Sequence, residues 1–273
     1  MAITSTENHP EPAQEQMPGW KKRVAIFLTG QTISTFGSFL VQYAILWHLT
    51  LTTKSGGVLA LAAIFGFLPQ AIVSIFAGVW ADRVNRKTMI IIADSMIALT
   101  TLGLALLMLS GVDDLWLIFA VMAARSIGAG FQMPAISALI PQIVPSDQLM
   151  RVNGINSSIQ SSLSLLAPVA AAGVYATMSL TAILFIDVIT AVIGVFLLST
   201  IVVPTLARVS SDEKPSYFGD LRDGVQYIFS NHLVRWVMVI FGLVFLLIVA
   251  PSNLSPLMVV RTFGSEVWML TVL

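Results

Sequence analysis

Cysteine is absent from this sequence, and charged residues make up only 10% of its 273 positions. Without cysteine the chain can form neither a disulfide bond nor a thiolate metal site. Its three histidines lie far apart and make no ligand-spaced pair, so we expect no metal site and no cofactor. The formal net charge is zero, which predicts no general attraction to nucleic acid.

The sequence motifs of enzymes and channels are missing as well. The chain contains no HExxH motif, no phosphate-binding loop, no nucleotide-binding motif and no pairing of a nucleophile with a base. It also lacks the selectivity filter or the ring of like charges that a channel requires. We therefore expect neither an enzyme nor a channel.

Hydrophobic residues, by contrast, make up 56% of the chain, and its mean hydropathy is +0.88. A soluble domain carries about 25% charged residues, so a chain this apolar cannot cover itself with a wetted surface. The apolar runs are long enough to cross a hydrocarbon core of about 30 Å, which takes about 20 residues. We predict an all-α membrane protein with about seven transmembrane helices, at residues 24–49, 58–81, 88–110, 115–140, 154–178, 180–203 and 236–258.

The positions of lysine and arginine predict the orientation of these helices. If the N-terminus is cytoplasmic, eleven of these residues lie inside, only Lys54 and Arg261 lie outside, and Arg125 lies within a span. This bias follows the positive-inside rule. We therefore expect a multi-pass protein of the cell (inner or plasma) membrane with a cytoplasmic N-terminus. Residues 1–20 lack the features of a signal peptide and are expected to be a disordered cytoplasmic tail.

The predicted spans divide the rest of the chain into three regions. Residues 21–203 are expected to form a six-helix N-terminal bundle, and residues 236–273 a seventh helix and an incomplete eighth. Residues 204–235 between them are expected to be a cytoplasmic linker with either an amphipathic helix on the membrane or a solvated connector helix. Because the last apolar run stops at Leu273, we expect a fragment that lacks the C-terminal helices of a longer protein.

The short loop between the second and third spans carries a charged signature, G-x-x-x-D-R-x-x-R-K. This pattern resembles the major facilitator superfamily, in which the loop latches the cytoplasmic ends of two helical bundles. The resemblance implies a packing role for Gly78, a latch acid at Asp82, and a set of latch cations at Arg83, Arg86 and Lys87. The alternative is that these cations merely set the topology.

One position of this signature departs from the family pattern. Asn85 stands where the family usually has glycine. Asparagine is among the few other residues that tolerate a left-handed backbone, so it can keep the same turn.

Further segments are similar to drug-exporting members of the superfamily. Arg125 to Gly130 resembles their R-x-x-G-x-G motif, and Ser164 to Gly173 resembles, with most glycines replaced by alanine, their G-P-x-x-G-G motif. Small residues allow close helix packing and proline kinks a helix, which are the roles implied for Gly128, Gly130 and Pro168.

The likeness narrows to the macrolide-efflux branch of the superfamily. Phe65-Gly66-Phe67-Leu68-Pro69, Ala93-Asp94 and Ile186-Asp187-Val188 carry it, and it extends over most of residues 20–260. The resemblance implies proton-coupled export of small hydrophobic or amphipathic compounds, such as macrolide-like drugs, by alternating access. Export or import of siderophores or metabolites is the alternative, as is a truncated product that transports nothing.

Polar residues inside the predicted spans are the candidates for the transport site. Charges at mid-membrane cost a few kcal/mol, so Asp94, Arg125 and Asp187 should each have a partner. Arg125 is the best candidate for proton coupling, although its partner is open and a structural ion pair is the alternative. Asp187 is nearer to it in depth than Asp94 is. For Asp94, which lies close to the cytoplasmic charges, we expect a structural role, whereas both roles stay open for Asp187. Polar stripes on the first and fifth spans line a substrate path or pack helices. The path residues we expect are Gln31, Ser38, Gln42, Arg125 and Gln132.

Overall fold

The computed structural model describes residues 18–81, 84–203, 219 and 226–264. These residues form seven long α-helices, and residues 226–230 are a further short helical segment. The long helices are α1 (Trp20–Thr53), α2 (Gly56–Ala81), α3 (Arg86–Leu109), α4 (Leu115–Ile143), α5 (Leu149–Thr177), α6 (Leu180–Thr200) and α7 (His232–Phe263). The predicted all-α fold class is therefore confirmed.

Side chains of the flanking residues satisfy the first free N–H groups of several helices. Asp114 accepts from Trp116 N at 3.0 Å at the start of α4, and Ser179 accepts from Ala182 N at 3.3 Å at the start of α6. Asn85 accepts from Thr88 N at 3.3 Å and begins α3 with φ −63°. Asn85 is thus a helix N-cap, and the left-handed conformation that we considered for it is not used.

Six of the helices, α1 to α6, are long and apolar enough to cross a membrane, in agreement with six predicted spans. The helices α1 and α5 extend beyond the predicted bounds by several residues. In α7 the apolar stretch found within the described residues, His232–Val244, is shorter than a span. A seventh crossing therefore stays a prediction, and the eighth apolar run lies outside the described residues.

The helices pack in a defined order. The main contacts join α2 to α4, α4 to α3, α3 to α6, α6 to α1, and α1 to α5. If α1, α2 and α3 exchange places with α4, α5 and α6, respectively, the same five contacts result. The bundle therefore consists of two three-helix halves related by the same order of contacts, an arrangement that inverted repeats give to membrane transporters.

Close approach of α1 and α6 depends on glycine. A Cβ atom at Gly37 would lie 1.9 Å from Thr190 Oγ1, and one at Gly194 would lie 2.9 Å from the Gly30 carbonyl oxygen. Small residues let helix backbones approach closely in a membrane, where packing rather than hydrophobic exclusion holds helices together. The α1–α6 contact is therefore built by glycines that the sequence motifs did not single out.

The helix α2 continues through Pro69, which has no N–H group to donate. The next residue, Gln70, donates its backbone N–H to Ser126 Oγ of α4 at 2.9 Å. Backbone polar groups freed by a proline in a membrane helix need such a partner from a neighbouring helix. Ser126 therefore joins α2 to α4 directly beside the proline.

Helix α7 contacts the bundle at the end that carries Lys54. Arg261 Nη2 donates to the Lys54 carbonyl oxygen at 3.0 Å, and Leu257 and Val260 are buried in the same core cluster as Leu49. The rest of α7 contributes many exposed apolar side chains.

Candidate functional site

The most extensive polar contact in the described part of the bundle centres on Arg125 of α4. Its guanidinium forms an ion pair with Asp187 of α6 and donates to Thr101 Oγ1 of α3. It also donates to the Ser38 carbonyl oxygen of α1 at 3.3 Å. Ser38 Oγ in turn donates to Asp187 Oδ1 at 3.1 Å. These four residues, called here the Arg125 cluster, join four different helices.

Burial makes this ion pair sensitive to any change of charge. The Asp187 side chain is 0% exposed and that of Arg125 is 11% exposed. Removing one member of a buried pair leaves an uncompensated charge, which costs about 3–5 kcal/mol. The contacts of the Arg125 cluster therefore depend on the presence of both charges.

Thr101 was not among the residues that the sequence singled out. Its hydroxyl accepts from Arg125 and can give its single hydrogen to Asp187 Oδ2 at 3.1 Å or to the Ile97 carbonyl at 2.8 Å. Threonine is common in membrane helices, so composition does not reveal it. Its position seven residues after Asp94, on the same face of α3, is the signal that could have found it.

A second group of polar residues lies nearer the end of the bundle that carries Arg86 and Lys87. Asp94 of α3 is 2% exposed, and its Oδ1 accepts from Gln132 Nε2 of α4. Gln31 of α1 is 3% exposed and lies beside Asp94, without reaching hydrogen-bonding geometry. We call Asp94, Gln132 and Gln31 the Asp94 cluster.

The two clusters lie on one line of contact between α3 and α4. Thr101 meets Arg125 at one end of this line, and Asp94 meets Gln132 at the other. Ile97 packs between them against Gly128, where a Cβ atom would lie 2.6 Å from Ile97 Cγ1. The clusters are thus separated by an apolar contact and by about 10 Å along the helix, since seven residues rise about 1.5 Å each.

The other residues predicted to line a path or to pack helices differ in their exposure and contacts. Gln42 is exposed, unlike Gln31 on the same stripe of α1. On α5 the polar side chains of Asn153, Ser157, Ser161 and Ser164 are exposed, and the helix continues through Pro168 to Thr177. Gly130 of α4 contacts α2, where a Cβ atom would lie 2.9 Å from Val73 Cβ.

The charged signature is only partly visible, because Asp82 and Arg83 lie outside the described residues. Lys87 Nζ donates to the Ser199 and Ile201 carbonyls at 2.7 and 2.8 Å, at the C-terminal end of α6. Arg86 Nη1 donates to the Ala138 carbonyl of α4 at 3.0 Å. Cations are favourable beside the free carbonyls of a helix C-terminus. These two residues therefore bind within the same bundle, and their role in a latch to another bundle stays a prediction.

Gly78 is exposed, and a Cβ atom built there meets no described atom within 4 Å. Replacement of Gly78 by alanine is therefore expected to change the unfolding free energy of this chain by no more than about 1 kcal/mol, in the stabilising direction, because alanine favours a helix. Thermal unfolding of the purified chain in detergent measures this. A clear loss of stability would show that Gly78 packs against a segment of this chain outside the described residues.

Comparison with known proteins places this bundle in a family. Residues 27–273 match the sequence profile described as the Major Facilitator Superfamily. The chain belongs to this superfamily. The resemblance deduced from the charged signature is thereby confirmed, and with it a multi-pass membrane protein of a transporter family.

Individual relatives agree with the family. Macrolide efflux protein A of Streptococcus pyogenes is 31% identical over 251 residues, which cover 92% of this chain and 62% of that protein. Macrolide efflux protein A of Enterococcus faecalis is 30% identical over 203 residues, which cover 74% of this chain and 62% of that protein. The chain thus spans about three-fifths of the length of these relatives. The likeness to the macrolide-efflux branch is confirmed at the level of sequence.

A solved structure shares the fold. It is the crystal structure of a bacterial homologue of the human lysosomal transporter Spinster, in an inward-facing and unoccupied conformation. The TM-score is 0.68 at 14% sequence identity, over 93% of this chain and 58% of the other. The likeness therefore supports the helical architecture and carries no information on the substrate.

Proposed function

We propose that this chain is part of a proton-coupled exporter of small hydrophobic or amphipathic compounds that works by alternating access. The observation that carries the proposal is the buried Arg125 cluster. Its ion pair joins α4 to α6, and its further bonds reach α1 and α3. The two three-helix halves of the bundle are therefore joined at this point by contacts that depend on one pair of charges.

A proton can act on this cluster because Asp187 is its only carboxylate. Protonation of Asp187 removes the negative charge and leaves the Arg125 guanidinium without a counter-ion. Arg125 then has to find another partner or contact water, which changes the contacts among the four helices. A charge change at a bistable packing element is a physical way to couple proton binding to a conformational step.

One observation supports export of such compounds, and another supports a polar path through the bundle. The relatives at about 30% identity are named macrolide efflux proteins. The α5 face that carries Asn153, Ser157 and Ser161 is exposed, as is Gln42 on α1, so polar groups are free to meet water or a substrate. We propose the cell membrane as the location, with the N-terminus and the Lys87 end of the bundle in the cytoplasm, from the distribution of cations.

The test uses the gene with any in-frame coding sequence beyond codon 273, expressed in a drug-sensitive host that lacks its own efflux pumps. Cells are loaded with a fluorescent macrolide or an amphipathic cationic dye, and its release is followed. We expect faster release than in cells carrying the empty vector, because the protein uses the inward proton gradient. A protonophore should reduce the release to the vector rate.

Two results would contradict the proposal. Faster accumulation than in the vector control would indicate import. Release that is unchanged by the protonophore, at equal protein abundance in the membrane, would indicate that protons do not drive transport.

A further inference from the structure

Three buried polar atoms in the Asp94 cluster have no hydrogen-bond partner among the described residues: Asp94 Oδ2 and the two terminal atoms of the Gln31 amide. Buried polar atoms are nearly always paired, since an unpaired one loses its bonds to water without compensation. All three atoms belong to side chains that are more than nine-tenths buried and adjacent to each other. The Asp94 cluster therefore has donor and acceptor atoms that are not used in the observed arrangement.

The charges around Asp94 do not balance if every group is ionised. The helices packed on α3 are α4 and α6, whose titratable residues are Arg125 and Asp187, respectively. Arg125 is engaged with Asp187. An ionised Asp94 would thus be a second buried negative charge with no cation of its own, which a membrane interior strongly disfavours.

The remaining ionisable groups near this contact do not supply the missing cation. On α3 itself, Arg86 and Lys87 donate to the carbonyls of α4 and of the α6 end. The residue that α1 places beside Asp94 is the neutral Gln31. The ionisable residues of α1 lie toward its two ends, at Lys21, Lys22, Arg23, Tyr43 and His48.

A proton neutralises the charge and supplies a hydrogen bond between two of the three unpaired atoms. Protonated Asp94 can donate from Oδ2 to Gln31 Oε1, while Oδ1 continues to accept from Gln132. If the proton leaves, a half-turn of the Gln31 amide presents its NH₂ group to the carboxylate instead. The same three side chains therefore accommodate Asp94 with or without its proton, as a site of reversible proton binding requires.

We propose that Asp94 is a second proton-binding site, separate from the Arg125 cluster, which holds its proton at neutral pH as a carboxylic acid bonded to Gln31. Binding adds one proton to one carboxylate oxygen and breaks no other bond. The use of this proton in transport rests on the proposed function, whereas the protonation itself does not. Its position gives the bundle two proton sites at different depths.

Infrared spectroscopy of the purified chain in lipid nanodiscs at about pH 7 tests the proposal without any transport assay. Exposed aspartates and glutamates are ionised at this pH. We expect a C=O stretching band of a protonated carboxylic acid that shifts to lower frequency in D₂O. The band should be lost in Asp94→Asn and retained in Asp147→Asn, because Asp147 is exposed.

Two further variants keep the test decisive if Asp94→Asn does not fold. Asp94→Glu should keep the band at a changed frequency. Gln31→Leu should move it to higher frequency, since the acid loses its hydrogen-bond acceptor. Absence of the band from the wild-type chain, or a band of equal intensity in folded Asp94→Asn, overturns the proposal whether or not the protein exports a drug.

Discussion

Replacement of Arg125 by alanine is expected to reduce drug export in the efflux assay described above to the background rate while the protein still inserts into the membrane. The substitution leaves Asp187, which is 0% exposed, without its cation. It also removes the bonds from α4 to Thr101 and to the Ser38 carbonyl. The free-energy cost of the unpaired charge is about 3–5 kcal/mol. Efflux of a loaded dye measures the loss, and immunoblotting of membranes measures insertion.

Two companion variants separate loss of coupling from loss of structure. Arg125→Lys keeps the charge but not the forked geometry that reaches three partners, so it should retain most of the stability and only part of the export. Arg125→Ala combined with Asp187→Asn removes both charges, so it should be more stable than Arg125→Ala alone yet still fail to export. If Arg125→Ala exports with normal proton dependence, the pair is purely structural.

Replacement of Gly194 by leucine is expected to disrupt the bundle itself. A Cβ atom there would lie 2.9 Å from the Gly30 carbonyl oxygen and 2.9 Å from Ser34 Cβ. Because the first of these is a backbone atom, it cannot rotate away, and α1 and α6 must separate. Overpacking of this kind costs about 1–3 kcal/mol or more. The same separation pulls Ser38 away from Asp187, which lies seven residues before Gly194 on α6.

The midpoint of thermal unfolding in detergent and the yield of monodisperse protein measure this effect. The matched control is Gly103→Leu in the C-terminal third of α3, where a Cβ atom meets nothing within 4 Å. We expect the control to change stability by no more than about 1 kcal/mol. Equal destabilisation by the two variants would mean that leucine in any of these helices is harmful and that the α1–α6 contact is not special.

For Arg125, the sequence predicted the depth of its side chain in the membrane but not the residue with which it pairs. Counting residues along each span placed Asp187 nearer to Arg125 in depth than Asp94, but depth alone left the partner open. The rotation of each helix about its axis and the order of the helices decide which side chains meet. Those quantities depend on packing between segments far apart in the chain, and only the structure supplies them.

The charged signature shows that a sequence motif does not specify the contacts of its residues. Its motif implied a packing glycine and latch cations, yet Gly78 has no close neighbour among the described residues. Arg86 and Lys87 bind carbonyls of their own bundle. A motif reports which residue types occur together, whereas the atoms they contact depend on which segments lie beside them.

The sequence by itself determined the six membrane-spanning helices and the family, because run length, hydropathy and a spaced motif are local properties of the chain. It also identified most polar residues of the two clusters, since a charge inside an apolar run is conspicuous. Only the tertiary structure decided that Arg125 pairs with Asp187 and Asp94 with Gln132, and that Thr101 joins the first pair. The physical reason is the glycine-mediated approach of the helices, which sets their rotation and spacing and which no single segment encodes.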